Sequence, residues 1–327
     1  VIPEPPGEAR SAGRRRVLAE WIASPDNRLT ARVMANRLWQ FQFGRGLARS
    51  PNDFGHQGER PTHPELLDWL AGELVEGQGT RDKGQQALTL NSQLSTLNSP
   101  TWSLKRLHRL IMTSAAYHMS SRANPDGLAR DPTNDLFWRF DMRRLSAEEI
   151  RDSIHAVSGQ LNRTMYGPST YPELSPEVLH GQSRPGEGWH TSPPDEAARR
   201  SVYIHVKRSL IPPMLSNFDF ADPDSSCAAR FMTTQPAQAL GMLNGKLVHD
   251  QARAFAGRVR REAGDEVDDQ VRRALELALC RPPAAADVEH GLRLIASLRG
   301  KHGLTDERAV EYYCLVVLNL NEFVYLD

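Results

Sequence analysis

Five residues near the start of the chain carry side chains suited to acid–base or metal chemistry: Asn36, Arg37, Asp53, His56 and His63. A carboxylate with two imidazoles can hold a metal or move a proton near neutral pH, while an asparagine and an arginine can orient an anionic group. They flank and fill the stretch "FGRGLARSPNDFGHQGERPTHPELLDWL", residues 43–70. The competing expectation is structural. Asp53 would pair with Arg37 to pin the loop to its helix, and His63 would support the next helix start, because a loop without a ladder must satisfy its own backbone groups. Gly44 and Gly46 begin a G-x-G, but Arg49 stands where the third glycine belongs. A helical run rather than a strand precedes them, so the dinucleotide fingerprint fails on context.

A second set lies in "RRLSAEEIRDSI": Arg143, Arg144, Glu148, Arg151 and Asp152. Charges alternating at a helix start suit an i,i+4 ion-pair lattice. Glu148 and Asp152, one turn apart, could also act as paired carboxylates or cation ligands. The third set is Asp219, Asp222, Asp224, Cys227 and Arg230 in "NFDFADPDSSCAARFMTTQ". The acid spacing is faintly that of a calcium loop, but the glycine and terminal glutamate of an EF-hand are missing. Cys227 near a helix start would have a lowered thiol pKa, yet no histidine at short range supports a cysteine nucleophile. No H-E-x-x-H, P-loop, G-x-S-x-G or haem attachment motif occurs.

The totals narrow the classes. The 327 residues carry 40 basic and 40 acidic side chains, so no global field draws the chain to nucleic acid or an anionic membrane. Local clusters such as Arg14-Arg15-Arg16 and Arg143-Arg144 could bind anions, but solvated or ion-paired faces account for them. Three cysteines without a C-x-x-C rule out a zinc knuckle or a thioredoxin-like pair, and an odd count argues against a disulfide framework. Cys280 and Cys314 fall in apolar helical runs and read as buried thiols. No apolar run is long enough to span a membrane.

The elements that must position these residues are mostly helices. Two are expected over roughly 14–41 around the turn "SPDNRLT", with Leu18, Trp21 and Ile22 forming an apolar face and Thr30 an N-cap. Thr62 and Glu65 read as a capping box with Pro64 in the first turn, Ser103 as the cap of the next helix, and Ser146 with Glu149 as a second capping box. Leu104, Leu107, Leu110 and Ile111 should face inward, as should Ile150, Ile154 and Val157, and later Leu240, Leu243, Leu247 and Val248. Residues 77–101, with "TLNS" repeated, read as a loop insertion. In "RRSVYIHVKRS", Val202, Ile204 and Val206 alternate with polar residues, which predicts a half-buried strand. The fold class is therefore mainly α, a multi-helix globular domain with a small antiparallel β element around 200–208. It would be one domain over 1–327, with a helical part at 14–160, an irregular/β part at 161–230 and a helical part at 231–327.

The order of "NRLTARVMANRLWQFQFGRGLARSPNDFGHQGERPTHPELLDWLA", "WSLKRLHRLIMTSAAYHMSS", "RRLSAEEIRDSI", "RRSVYIHVKRS", "NFDFADPDSSCAAR", "TTQPAQALGMLN" and "LVVLNLNEFVYLD" resembles the planctomycete-type domain of unknown function 1553. The chain departs from that pattern at the insertion before Trp102, at Gly245 and near position 284, which touches loops and caps. The resemblance implies an extracytoplasmic multidomain protein, with a companion uncharacterised domain and a c-type cytochrome domain N-terminal to this one. Any haem would then sit on such a domain, and no cofactor is expected in this chain. The leading expectation is a scaffold or interaction module of a cytochrome-c-associated redox or polysaccharide-processing assembly. The rival is a metal-dependent hydrolase or oxidoreductase acting on a sugar polymer, with Asp53, His56 and His63 at its centre. Nucleic-acid binding is disfavoured by net neutrality and by the lack of interleaved aromatic and basic residues.

Overall fold

Helical periodicity in the sequence becomes helices in a computed structural model that describes residues 13–24, 26–76 and 102–327. The insertion expected at 77–101 lies outside the described residues. The chain divides into two compact units, one ending at Arg143 and the other spanning Arg144–Leu326.

In the first unit the helices are α1 (Arg14–Ala23), α2 (Arg28–Phe43), α3 (Pro64–Glu76), α4 (Leu104–Met112) and α5 (Pro125–Arg130). Ala31, Ala35, Leu38 and Trp39 of α2 are buried with Leu67, Leu70 and Leu74 of α3 and with Leu107 and Ile111 of α4. Beside them lies an aromatic cluster in which Trp39 stacks on Phe43 at 4.1 Å and Phe137 meets Phe43 edge-on at 5.5 Å. Two expected caps move. Asn27, not Thr30, caps α2, its side chain accepting from the Thr30 N–H at 3.3 Å. Helix α3 starts at Pro64 with the His63 carbonyl accepting from Leu67 N at 3.1 Å, so Thr62 sits before the cap and bonds the Leu47 carbonyl instead. Ser103 does cap α4, although Leu104 is exposed. The apolar face of α1 is exposed, with Leu18, Trp21 and Ile22 all open to solvent, and so is Phe41 on α2.

The second unit contains α6 (Ala147–Ser158), the short α7 (Pro176–His180), α8 (Pro194–Ala197) and α9 (Pro213–Asn217), then α10 (Pro236–Asn244), α11 (Lys246–Ala263), α12 (Val267–Leu279), α13 (Ala285–His302), α14 (Asp306–Leu318) and α15 (Asn321–Val324). On α11, Val248, Ala252, Phe255 and Val259 recur at helical spacing and are buried. They share a core with Ile150 and Ile154 of α6, Val271 and Leu275 of α12, Ile295 of α13, and Val310, Cys314 and Leu318 of α14. Gly291 lets α13 come close: a Cβ there would lie 2.8 Å from Val271 Cγ1 and 2.9 Å from Tyr313 Cε2. Both halves of the expected capping box form at α6, Ser146 accepting from Glu149 N and Glu149 accepting from Ser146 N. Leu240 and Leu243 are exposed, because Met242 and Val248 take the inward positions. Cys314 is buried as expected, whereas Cys280 is exposed in the left-handed residue that ends α12.

The fold is mainly α with a small β element. That element is a ladder of two short strands, β1 (Arg143–Arg144) and β2 (Tyr325–Leu326). The segment around 200–208 supplies single bridges rather than a regular strand: Thr170 pairs with Ile204, and Lys207 with Leu210. It opens with a 3-10 turn at Ser201–Tyr203, and only Ile204 of the three alternating residues is buried. Two buried arginines, described below, tie the neighbouring stretches instead: Arg151 holds the carbonyls of Ala197 and Arg199, and Arg199 holds those of Thr164, Tyr166 and Pro168.

Candidate functional site

In the first unit the structure places the five N-terminal candidates separately. Asn36 is fully buried and mimics a backbone partner: its amide N–H donates to Ala48 O at 2.9 Å, and its Oδ1 accepts from Ala48 N at 2.8 Å. This holds "GRGLARS" against α2, with Leu47 and Ala48 buried. Asp53 closes a local turn, Oδ1 accepting from Gly55 N at 2.8 Å, while its carbonyl accepts from Ser50 Oγ at 2.8 Å. Gly58 lies so close that a Cβ there would stand 1.9 Å from the Asp53 carbonyl oxygen. Arg37 makes no hydrogen bond or ion pair among the described residues, so the expected Arg37–Asp53 pair does not form. His56 is exposed, and His63 Nδ1 lies 3.0 Å from Thr62 Oγ1. Among the described residues no group of three or more His, Cys, Asp or Glu side chains is arranged to hold a metal ion.

Members of the other two sets meet in the second unit. Arg144, the first residue of that unit, extends a buried guanidinium that donates from Nη2 to Asp219 Oδ2 at 2.7 Å and lies 5.0 Å over the Phe218 ring. Asp219 has a left-handed backbone, φ 61°, rare for a residue with a Cβ. Its carboxylate also accepts from Thr233 N at 2.9 Å and Thr233 Oγ1 at 2.8 Å. Burial alone would raise the Asp219 pKa, but the two Thr233 bonds and Arg144 outweigh it and hold the pKa below the ordinary aspartate value. Gln238, buried in α10, donates to Thr233 O at 3.1 Å. Glu148 takes both arms of Arg230, at 2.6 and 2.9 Å, and this pairing raises the Arg230 pKa. Arg143, in the first unit, donates from Nε to Gln42 O at 3.3 Å. Asp152 faces another way: its Oδ1 accepts from Ser201 N at 2.8 Å and Ser201 Oγ at 2.7 Å. Cys227 is exposed, with Sγ donating to Ala229 O at 3.2 Å. Asp222 caps the Asp224 N–H at 2.9 Å, and Asp224 pairs with Arg208. Those two acids form a turn rather than a cation loop.

The motifs that make these contacts fall within a family profile, PSD1, protein of unknown function (DUF1553), which matches residues 14–295. The chain belongs to this family. Among curated proteins and among solved structures, none matches it.

For this DUF1553 chain, sequence reasoning missed the residues that complete the network. Thr233 and Gln238 stand in "TTQPAQ", where Gln238 reaches back across Pro236 to accept from Gln235 N at 3.3 Å, half of a capping box whose spacing could have drawn attention to them. Arg199 and His155 gave no such signal. Arg199 is buried and donates to the carbonyls of Pro168 at 3.1 Å and Thr164 at 3.3 Å, and also to Tyr166 O. Arg151, equally buried, donates to Arg199 O at 3.0 Å and Ala197 O at 2.5 Å. Burial lowers its pKa to about 10 against the pull of Asp152, so it stays charged at neutral pH. His155 is buried beside it with no hydrogen-bond partner on either ring nitrogen among the described residues. Burial, and then the Arg151 charge, push its pKa down to about 3.

Proposed function

We propose that this chain serves as a scaffold or interaction module in an extracytoplasmic, cytochrome-c-associated redox or polysaccharide-processing assembly. One observation carries the scaffold reading. Five of the chemistry-bearing candidates have their polar atoms engaged by the chain's own loops and helices: Asn36 on Ala48, Asp53 on Gly55, Glu148 on Arg230, Asp152 on Ser201, and Asp219 on Arg144 and Thr233. A carboxylate fixed by two or three internal donors serves packing and specificity before it serves a substrate. The extracytoplasmic placement and the redox partners follow from the usual architecture of the domain family that the sequence resembles.

The test is association. The purified chain, immobilised, is challenged with the companion uncharacterised domain and with a c-type cytochrome domain of the same or a neighbouring protein. Saturable, stoichiometric capture of either domain supports the reading. Failure to bind both, at concentrations well above the micromolar range of transient interfaces, counts against it.

A further inference from the structure

One buried charged side chain is engaged internally only in part. Arg144 is 4% exposed. Its Nη2 is used by Asp219, but Nε and Nη1 are both buried and have no hydrogen-bond partner among the described residues. Arg45, Arg139 and Arg199 each leave only Nε in that condition, so Arg144 alone among the described arginines leaves two buried nitrogens unanswered. Buried donors without acceptors are strongly disfavoured, more so on a charged group. The face of Phe218 fixes the plane of the guanidinium.

Both ends of the run 219–233 converge on this group, because Arg144 holds Asp219 and Asp219 holds Thr233. Between those ends the backbone forms no helix or strand, and Asp222, Asp224, Cys227, Phe231 and Met232 are exposed. The run is fastened to α6 by the pair Glu148–Arg230, whose side chains are 25% and 36% exposed. We propose that Arg144 is the anchor of a small-oxyanion site, for a carboxylate or phosphate group. The run 219–233 covers the site, and the Glu148–Arg230 pair latches that cover. An ionised acceptor is favoured over a neutral one because opposite charge adds coulombic attraction to the hydrogen bond where water is excluded. The proposal adds a ligand to the network and does not depend on the scaffold reading.

The experiment is a titration of the full chain with sodium acetate, inorganic phosphate and sodium sulfate in separate arms, at constant ionic strength. Binding is followed by thermal shift and by the arginine Nε–H resonances in 1H–15N spectra. The expected result is a saturable response to at least one anion, with one arginine Nε–H moving. Arg144→Lys keeps the charge but loses the planar donors, and should weaken the affinity roughly tenfold or more. Glu148→Ala, which releases the latch, should accelerate anion exchange without abolishing binding. No saturation in any arm, or an identical response in Arg144→Lys, would overturn the site and leave ordered water as the acceptor. If Arg144→Lys does not fold, the Nε–H shift in wild type and the faster exchange in Glu148→Ala still decide the matter: absence of both refutes the proposal.

Discussion

Asn36 answers both the N–H and the C=O of Ala48 in a fully buried position, so truncating it leaves two backbone groups without partners. Asn36→Ala should lower the unfolding free energy by about 2–4 kcal/mol, read from urea denaturation. An effect within experimental error would mean that the loop is not held from α2. His155 makes a pH prediction with a definite sign. Its folded pKa is about 3 against 6.5 when free, so on acidification the unfolded chain takes up the proton first. Stability is therefore lost as pH falls below about 6.5, at up to about 1.4 kcal/mol per pH unit until the folded pKa is reached. Between pH 7 and pH 5 the non-titrating His155→Leu should lose about 2 kcal/mol less than wild type; parallel slopes would sink this account. Asp219 acts at lower pH. Its depressed pKa contributes stability above the ordinary aspartate value of about 4, and that contribution disappears as pH falls through the folded pKa. The stability gap between wild type and Asp219→Asn should thus be widest above about pH 4 and close below it.

At the scale of elements, α6 is where sequence and structure agree most closely. Ser146 and Glu149 form the full capping box, and Ile150, Ile154 and Val157 form the buried stripe. Ser146→Ala should cost about 1 kcal/mol, measurable as a drop in denaturation midpoint at constant m-value. The signal was legible because a cap and a period are local properties. What failed depended on neighbours far along the chain. Val202, Ile204 and Val206 alternate as a strand should, but Asp152, far back in the chain, takes the Ser201 N–H and the backbone turns in a 3-10 helix at Ser201–Tyr203, which leaves only isolated bridges. Thr62 has the spacing of a cap, yet Leu47, fifteen residues earlier, offers its carbonyl and draws Thr62 out of that role. The candidate site was half readable. Its acids and arginines were picked out as two sets, but their convergence through Arg144–Asp219 and Glu148–Arg230 spans more than seventy positions and has no periodicity to reveal it.

At the scale of the whole molecule, the core of the second unit closes where α12, α13 and α14 meet at Gly291. Gly291→Ala places a methyl group against Val271 and Tyr313, and should destabilise the chain by about 1–3 kcal/mol even though alanine is the better helix former. Calorimetry showing an unchanged or higher Tm would mean that the helices separate freely there. The fold is also marked in the pattern of bonds a protease can reach. Arginine is abundant in this sequence, so trypsin has many sites, and Arg16 and Arg208 stand 83% and 79% exposed on their side chains. Arg151 and Arg199 are sealed, their guanidinium groups tied to backbone carbonyls at Arg199 and Thr164 respectively. Peptide bonds after those two residues resist digestion as long as the second unit stays folded, which makes them built-in reporters of its unfolding for mass spectrometry.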